Sequence, residues 1–269
     1  MTEILSERSS RVVSYAKLHR AAERRAQGRF LAEGANAVAS ALAVGRVEVL
    51  LVADEEQLRH RDLLDTATAD GVGVSVITAR AASKLAETST PAGIFAICPL
   101  LDVSLDAVLT DAPRLLAVAV EPREPGNAGT LIRCADAMGA DAVVLLGDAV
   151  DPHNGKCVRA SAGSVFTVPV VRGRSVVDGL NAVRAAGVTL LATAADGEVD
   201  LDSAGDVLAG RVAWLFGNEA HGLSVDVQRS ADHRVSIPIR GRAESLNVAA
   251  AAAICLYESA RVHGAAGRV

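Results

Sequence analysis

Glu121-Pro122-Arg123-Glu124-Pro125-Gly126-Asn127-Ala128-Gly129-Thr130-Leu131-Ile132-Arg133 lies between a wholly apolar run, Leu115–Val120, and the Ala-rich end of an amphipathic stretch at Met138. Two prolines and a glycine break the apolar run, and the spacing predicts a helix beginning near Asn127, whose amide suits an N-cap. Arg133 comes six residues later. That is nearly two turns along the helix and about 120° round it, so a helix leaning its N-terminal half over a site brings Arg133 within reach. A short buried strand that hands polar residues to the start of a helix belongs to a parallel sheet covered on both faces. In such sheets ligands bind beyond the carboxyl ends of the strands.

The same alternation extends in both directions. Downstream, candidate strands Ala142–Leu146, Val168–Val171, Val188–Ala192, Val212–Phe216 and Val235–Ile239 are interleaved with helices near Gly126–Met138, Val176–Ala186 and Leu246–Val262. Upstream, strands Phe30–Ala32, Val47–Val52, Val74–Ile77 and Ile94–Cys98 alternate with helices near Asn36–Leu42, Glu55–Asp70 and Ala79–Ala86. The expected organisation is α/β throughout. A basic helical arm covers 1–28 and a small α/β sandwich domain 29–100. A linker comes next over 101–113, then a larger α/β domain with a mostly parallel sheet over 114–269.

The 269 residues are half apolar, 22% charged and only 3% aromatic, enough to bury a large aliphatic core without disulfides or metals. A net charge of −5 read as a single sum points away from a polyanionic partner, but the charge is uneven. The first 30 residues hold seven Lys or Arg against three acids, a balance of +4, which leaves −9 on the rest. That basic run is either a solvated helical face or a phosphate-contacting arm, and charge alone does not choose. Cys98, Cys134, Cys157 and Cys255 form no CxxC pair, so reduced, mostly buried thiols are expected, with neither a disulfide framework nor a metal site. Met1-Thr2-Glu3-Ile4-Leu5-Ser6-Glu7 lacks the apolar core of a secretory signal. The longest apolar run, Val248 to Tyr257, falls well short of the roughly 18 to 20 residues that span a bilayer. A soluble cytoplasmic protein is expected.

Two further stretches place glycine or polar residues just after a candidate strand. Leu215-Phe216-Gly217-Asn218-Glu219-Ala220-His221-Gly222-Leu223 is a buried strand that breaks at a glycine, presents Asn218 and Glu219, and turns again at Gly222. Such a bend lets backbone approach a ligand closely. His221 is either a general base or, more plainly, a turn residue. Ile237-Pro238-Ile239-Arg240-Gly241-Arg242-Ala243-Glu244-Ser245-Leu246-Asn247 leads into an Ala-rich helix. Ser245 and Asn247 suit capping there, and the Arg-Gly-Arg turn could instead hold an anion or part of a nucleotide.

In this order and spacing, the three stretches resemble the three motifs of the SpoU family of SPOUT RNA methyltransferases, over about Leu115 to Val262. Phe30-Leu31-Ala32-Glu33-Gly34 and the helix after it resemble the small ribosomal-protein-like substrate-binding domain often fused to that family. The resemblance implies a trefoil-knotted α/β domain, S-adenosylmethionine as methyl donor, and a homodimer with an active site shared across the interface. Carried over by position, it implies Arg133, Asn127, Glu219, Ser245 and Asn247 as catalytic residues. Thr193, Gly217, Asn218, Ile237 and Leu246 fall on the cofactor positions. Ala220-His221 departs from the family's usual Gly-x pair after the glutamate.

The implied reaction is methylation of a ribose 2′-hydroxyl, on ribosomal RNA in preference to transfer RNA. It makes positioning the larger task, because a sulfonium methyl is already activated. Arginine stays protonated at neutral pH and so makes a poor base; Arg133 is therefore expected to orient the RNA and stabilise a developing alkoxide, with a neighbouring phosphate or water taking the proton. With RNA expected, Arg8, Arg11, Lys17, Arg20, Arg24 and Arg25 become candidate phosphate contacts. The scarcity of aromatics argues for recognition by shape, backbone and 2′-hydroxyl groups. Two rivals stand beside this reading. One is a non-catalytic RNA-binding, ribosome-associated dimer on a degenerate knot. The other is a nicotinamide oxidoreductase, which the absence of a GxGxxG after any strand disfavours.

Overall fold

The computed structural model describes residues 4–266; residues 1–3, the start of the expected basic arm, and 267–269 lie outside the described residues. The chain forms two compact units. One runs to Leu101 and takes in Asp151–Thr167; the other comprises Asp102–Val150 and the chain from Val168 onward.

The first unit opens with helices α1 (Ser10–Ala16) and α2 (Ala21–Gln27). These lead into β1 (Arg29–Glu33), α3 (Ala35–Ala43), β2 (Val49–Ala53), α4 (Arg61–Ala69), β3 (Gly73–Ile77), α5 (Ala79–Leu85) and β4 (Ile94–Pro99). The sheet order is β1-β4-β2-β3, with β4 antiparallel to both neighbours and β2 parallel to β3. The stretch expected as one helix over Glu55–Asp70 is instead a 3₁₀ turn at Asp54–Glu56 and then α4. Leu58, its only large apolar side chain before α4, is exposed and offers no stripe to hold a longer helix. Residues 10–27 are not a separate arm, because Val12 and Leu18 are buried in one core with Leu31, Leu51, Leu85 and Phe95.

The second unit begins with β5 (Asp102–Val103), α6 (Leu105–Thr110), β6 (Leu115–Val120), α7 (Pro125–Ala137) and β7 (Ala142–Leu146). The chain then forms α8 (Gly155–Ala160) in the first unit. It returns for β8 (Val170–Gly173), α9 (Val176–Ala185), β9 (Thr189–Thr193), β10 (Val199–Asp200), α10 (Gly205–Leu208), β11 (Val212–Phe216), α11 (Val225–Ser230), β12 (His233–Ser236) and α12 (Val248–Ala266). The eight strands lie in the order β10-β12-β9-β11-β6-β7-β8-β5, and every pairing is parallel. All residues of β6, β7 and β11 are buried, as expected for strands covered on both faces. The indole of Trp214 in β11 donates to Ser259 Oγ at 2.8 Å, with both residues fully buried, and so ties α12 to the sheet.

Further expectations need correction. The 101–113 stretch is not a linker: β5 pairs with β8, Ser104 caps α6 by accepting from Ala107 N, and Val108 is buried. The last strand ends at Ser236, short of Ile239, because Pro238 has no N–H to continue the ladder. The 114–269 range is interrupted, since Asp151–Thr167 packs in the first unit. Phe30 packs there against His153 and Phe166, with ring centroids 4.8 and 5.7 Å apart. Asp151 Oδ2 accepts from Arg24 Nε at 3.0 Å and Arg24 Nη2 at 2.6 Å. The guanidinium also donates to the Leu18 and His19 carbonyls, and Arg24 is only 3% exposed. Arg24 is therefore part of the fold and drops out of the expected phosphate contacts. Burial opposes charge on Asp151, but His153 and Arg24 outweigh it and hold the carboxyl well below its ordinary range.

Cys98, Cys157 and Cys255 are buried and Cys134 is partly so; all four are free. Burial pushes the Cys157 thiol up to about 12. Among the described residues no helix is long and apolar enough to cross a membrane.

Candidate active site

The residues singled out in the second unit converge at the carboxyl ends of β6, β9, β11 and β12. Helix α7 starts two residues earlier than the sequence suggested. Pro125 occupies its first turn and Glu124 caps it by accepting from Gly126 N, so Asn127 lies inside the helix with its amide free for other work. Asn127 Nδ2 donates to Glu219 Oε1 at 3.2 Å, and Asn127 Oδ1 accepts from Asn247 Nδ2 at 3.1 Å. Asn247 in turn caps α12, its Oδ1 accepting from Ala249 N at 2.8 Å and Ala250 N at 3.4 Å. A continuous polar chain therefore runs from the loop after β11, through the start of α7, to the start of α12.

Glu219 is held from the other side by backbone. Its Oε2 accepts from Arg123 N and its Oε1 from Glu124 N, each at 3.1 Å. Partial burial opposes ionisation of Glu219. The backbone amides of Glu219, Arg123 and Glu124 and the Asn127 side chain more than offset it, keeping the carboxyl below its usual range. Glu219 is thus an anionic fastener for two loops.

The loop carrying Glu219 is closed by Asn218 and Gly222, which exchange backbone hydrogen bonds at 3.1 and 2.8 Å. A Cβ on Gly217 would lie 2.1 Å from the Gly222 carbonyl carbon and 2.3 Å from Leu223 N, so only glycine lets the two limbs meet. Asn218 Nδ2 donates to the Glu121 carbonyl at 2.9 Å, and its Oδ1 accepts from Ala220 N at 2.8 Å. Glu121 has φ +51°, a left-handed conformation that costs a non-glycine residue about 1 kcal/mol or more.

Beside this network is a cavity of about 420 Å³. Thr193–Ala195 at the end of β9, Phe216–Ala220 and Gly222 at the end of β11, Ile237 and Ile239 after β12, and Glu244–Val248 leading into α12 form its walls. Thr193 Oγ1 is turned away to the Leu215 carbonyl at 2.9 Å, which fixes that wall. The cavity gathers Thr193, Gly217, Asn218, Glu219, Ile237, Ser245, Leu246 and Asn247, and Asn127 joins them through its two hydrogen bonds. Arg133 is exposed farther along α7 and does not line the cavity. Among the described residues no hydrogen-bond or ion-pair partner is found for it. His221 is exposed and also outside the lining.

Sequence reasoning missed the backbone donors of Arg123 and Glu124 and the left-handed Glu121, since neither backbone amides nor a positive φ at a non-glycine residue leaves a residue-type signal. It also missed Ala194, Ala195 and Ile239. Their only mark is their place after a strand, and for Ile239 the proline that ends it.

Comparison with known proteins agrees with the geometry. Residues 114–257 match the model of the SpoU rRNA methylase family, and residues 9–96 match that of the MRM3-like substrate binding domain. The 23S rRNA (guanosine(2553)-2′-O)-methyltransferase RlmP of Bacillus subtilis is 36% identical over 258 residues, covering 96% of this chain and 98% of the relative. The 23S rRNA (uridine(2479)-2′-O)-methyltransferase of Streptomyces viridochromogenes is 33% identical over 87% of this chain and 83% of its own. Among solved structures, an AdoMet-bound rRNA methyltransferase from Sinorhizobium meliloti superposes with a TM-score of 0.82 at 30% identity, over 97% of this chain and 98% of that one. With more than half its length inside that family's model and a full-length relative at 36% identity, the chain belongs to the SpoU rRNA methylase family.

Proposed function

We infer that the chain is an S-adenosylmethionine-dependent methyltransferase acting on a ribose 2′-hydroxyl of RNA, and that its substrate is large-subunit ribosomal RNA. The observation that carries this reading is the meeting of a cavity at the carboxyl ends of β9, β11 and β12 with the Glu219–Asn127–Asn247 chain. The relatives support it: two are 23S rRNA 2′-O-methyltransferases by name, and a third protein is described as bound to AdoMet.

The cavity suits such a cofactor. Val235, Ile237, Ile239 and Leu246 supply apolar surface for a flat ring, while Ser245, Glu244 and the backbone beside Gly217 supply polar groups at its margins. S-adenosylmethionine, when bound, supplies a methyl group already activated by its sulfonium. The residues of the chain then have to place a hydroxyl in line and ease the loss of its proton. Asn127 and Asn247 hold the base of α7 and the start of α12 in register. Ser245, on the cavity wall, presents a free hydroxyl to the ribose, and Arg133 orients the RNA and stabilises the developing alkoxide. Glu219 keeps the loops in place and takes no proton.

A homodimer completes the site. Its support is that α12 exposes Ile254 and Tyr257 and that Arg133, though outside the cavity wall, stands unpartnered among the described residues on α7. The trefoil knot and a cytoplasmic setting accord with the family. Arg8, Arg11, Lys17, Arg20 and Arg25 remain the proposed phosphate contacts, and none of the five is buried. The non-catalytic alternative is not favoured, because the polar set is complete and the named relatives are methyltransferases.

The test is to map 2′-O-methyl sites in total RNA from cells with and without the gene, alongside calorimetry with S-adenosylmethionine. One lost ribosomal position and measurable binding are expected. No lost position, or no binding, overturns the reading.

A further inference from the structure

We propose that Asn218 is a positioning residue: its side-chain amide holds Glu121 in the left-handed conformation and so aims the backbone donors that clamp Glu219. The kinetic part of this inference rests on the methyltransferase reading; the structural part does not.

The family resemblance puts Asn218 among the cofactor residues, yet both its polar side-chain atoms are used inside the protein, Nδ2 on the Glu121 carbonyl and Oδ1 on Ala220 N. Its backbone is fixed as well, paired on both sides with Gly222. Asn218 is therefore a rigid donor on the loop after β11, pointed at the loop after β6.

Its target is unusual. Glu121 is one of three non-glycine residues with positive φ among the described residues. Its N–H donates to the Leu146 carbonyl at 2.8 Å, and its side chain passes where Gly147 has none: a Cβ on Gly147 would lie 2.7 Å from Glu121 Cγ. The turn matters because of the three residues after it. Pro122 has a fixed φ and no N–H, and the next two N–H groups, of Arg123 and Glu124, are those that bind Glu219. The direction of that pair is set at Glu121, and the contact that holds the Glu121 carbonyl across the two loops comes from Asn218. The consequence reaches Asn127 and Asn247 through Glu219.

The test uses Asn218→Ala in the natural chain and in a Glu121→Gly background, because glycine takes positive φ without strain. Amide exchange at Arg123 and Glu124 is measured without ligand, together with single-turnover methylation and S-adenosylmethionine affinity. Asn218→Ala alone is expected to speed exchange at both amides and slow methylation by roughly tenfold, while the cofactor Kd moves less than about threefold. In the Glu121→Gly background the same substitution is expected to cost less than about threefold in either measure. Equal losses in both backgrounds overturn the proposal, as does a weakened Kd with unchanged exchange, which would return Asn218 to the cofactor. Asn218→Asp keeps the acceptor for Ala220 N and removes the donor, so it replaces the alanine variant if that one fails to fold. A natural chain that does not methylate RNA would defeat the methyltransferase reading, and the exchange experiment would still decide the role of Asn218.

Discussion

Asn127 and Glu219 are 92 positions apart in sequence, yet the amide of one donates to the carboxylate of the other at 3.2 Å, while the other end of that amide accepts from Asn247. One side chain joins three loops, and its two ends need opposite polarity. Asn127→Asp removes the donor and sets a second carboxylate against Glu219. The expected result is a fall of about 100-fold in single-turnover methylation, the scale of a small misplacement of reacting groups, with folding retained. Circular dichroism alongside the assay separates the two effects.

Arg133 gives the opposite pattern to a structural residue. It is exposed and without a partner among the described residues, so Arg133→Ala should leave the stability within about 0.5 kcal/mol. Methylation on saturating RNA should fall by about 100-fold or more, as when a donor to a developing oxyanion is lost. Near-natural methylation would remove Arg133 from the chemistry.

Gly217→Ala pushes a methyl group into the backbone of Gly222 and Leu223, which cannot give way as a flexible side chain can. The loop is expected to open, with a loss of about 1–3 kcal/mol in stability and weakened S-adenosylmethionine binding by calorimetry. Undisturbed binding would show that the loop closure is dispensable.

Arg24 and Asp151 predict a pH dependence of stability. The Asp151 carboxyl lies below its ordinary range in the folded protein, so its contribution is complete above the unfolded value near 4 and is lost only as pH falls through the lower folded value. Arg24→Ala removes the charged partner of the Asp151 carboxylate but leaves its hydrogen bond from His153 N, and should cost about 1.5–3 kcal/mol at neutral pH. Without Arg24 the Asp151 pKa in the folded variant is higher than in the natural chain, so the folded variant takes up a proton at a higher pH and the deficit should shrink as pH is lowered towards 4. Urea melts of both proteins between pH 8 and 4 check the sign.

The exposed cations of the first unit should act through phosphate. Replacing Arg20 and Arg25 together by alanine is expected to reduce the slope of log affinity against log salt by about 1 per residue lost, on every RNA tested. Arg24→Ala, by contrast, should change RNA affinity only as far as it changes the folded fraction. An unchanged slope in the double variant takes both residues out of the RNA interface.

The amino-acid sequence by itself determined the elements and the chemistry available to them. Short apolar runs such as Leu115–Val120 and Val212–Phe216, bounded by turn residues, read as strands buried on both faces, and the polar residues after them mark the carboxyl ends of a parallel sheet. Tertiary structure alone decided which of those residues meet. Strands β6 and β11 are neighbours in the sheet though far apart in the chain, and that adjacency brings Asn218 to Glu121 and Asn127 to Glu219. It also carried Asp151–Thr167 into the first unit and turned Arg24 from a surface cation into half of a buried ion pair. Local periodicity records how a segment faces its own core. The partner of a polar atom is set by strand order and by which buried groups would otherwise go unsatisfied, and neither is written in any single stretch of residues.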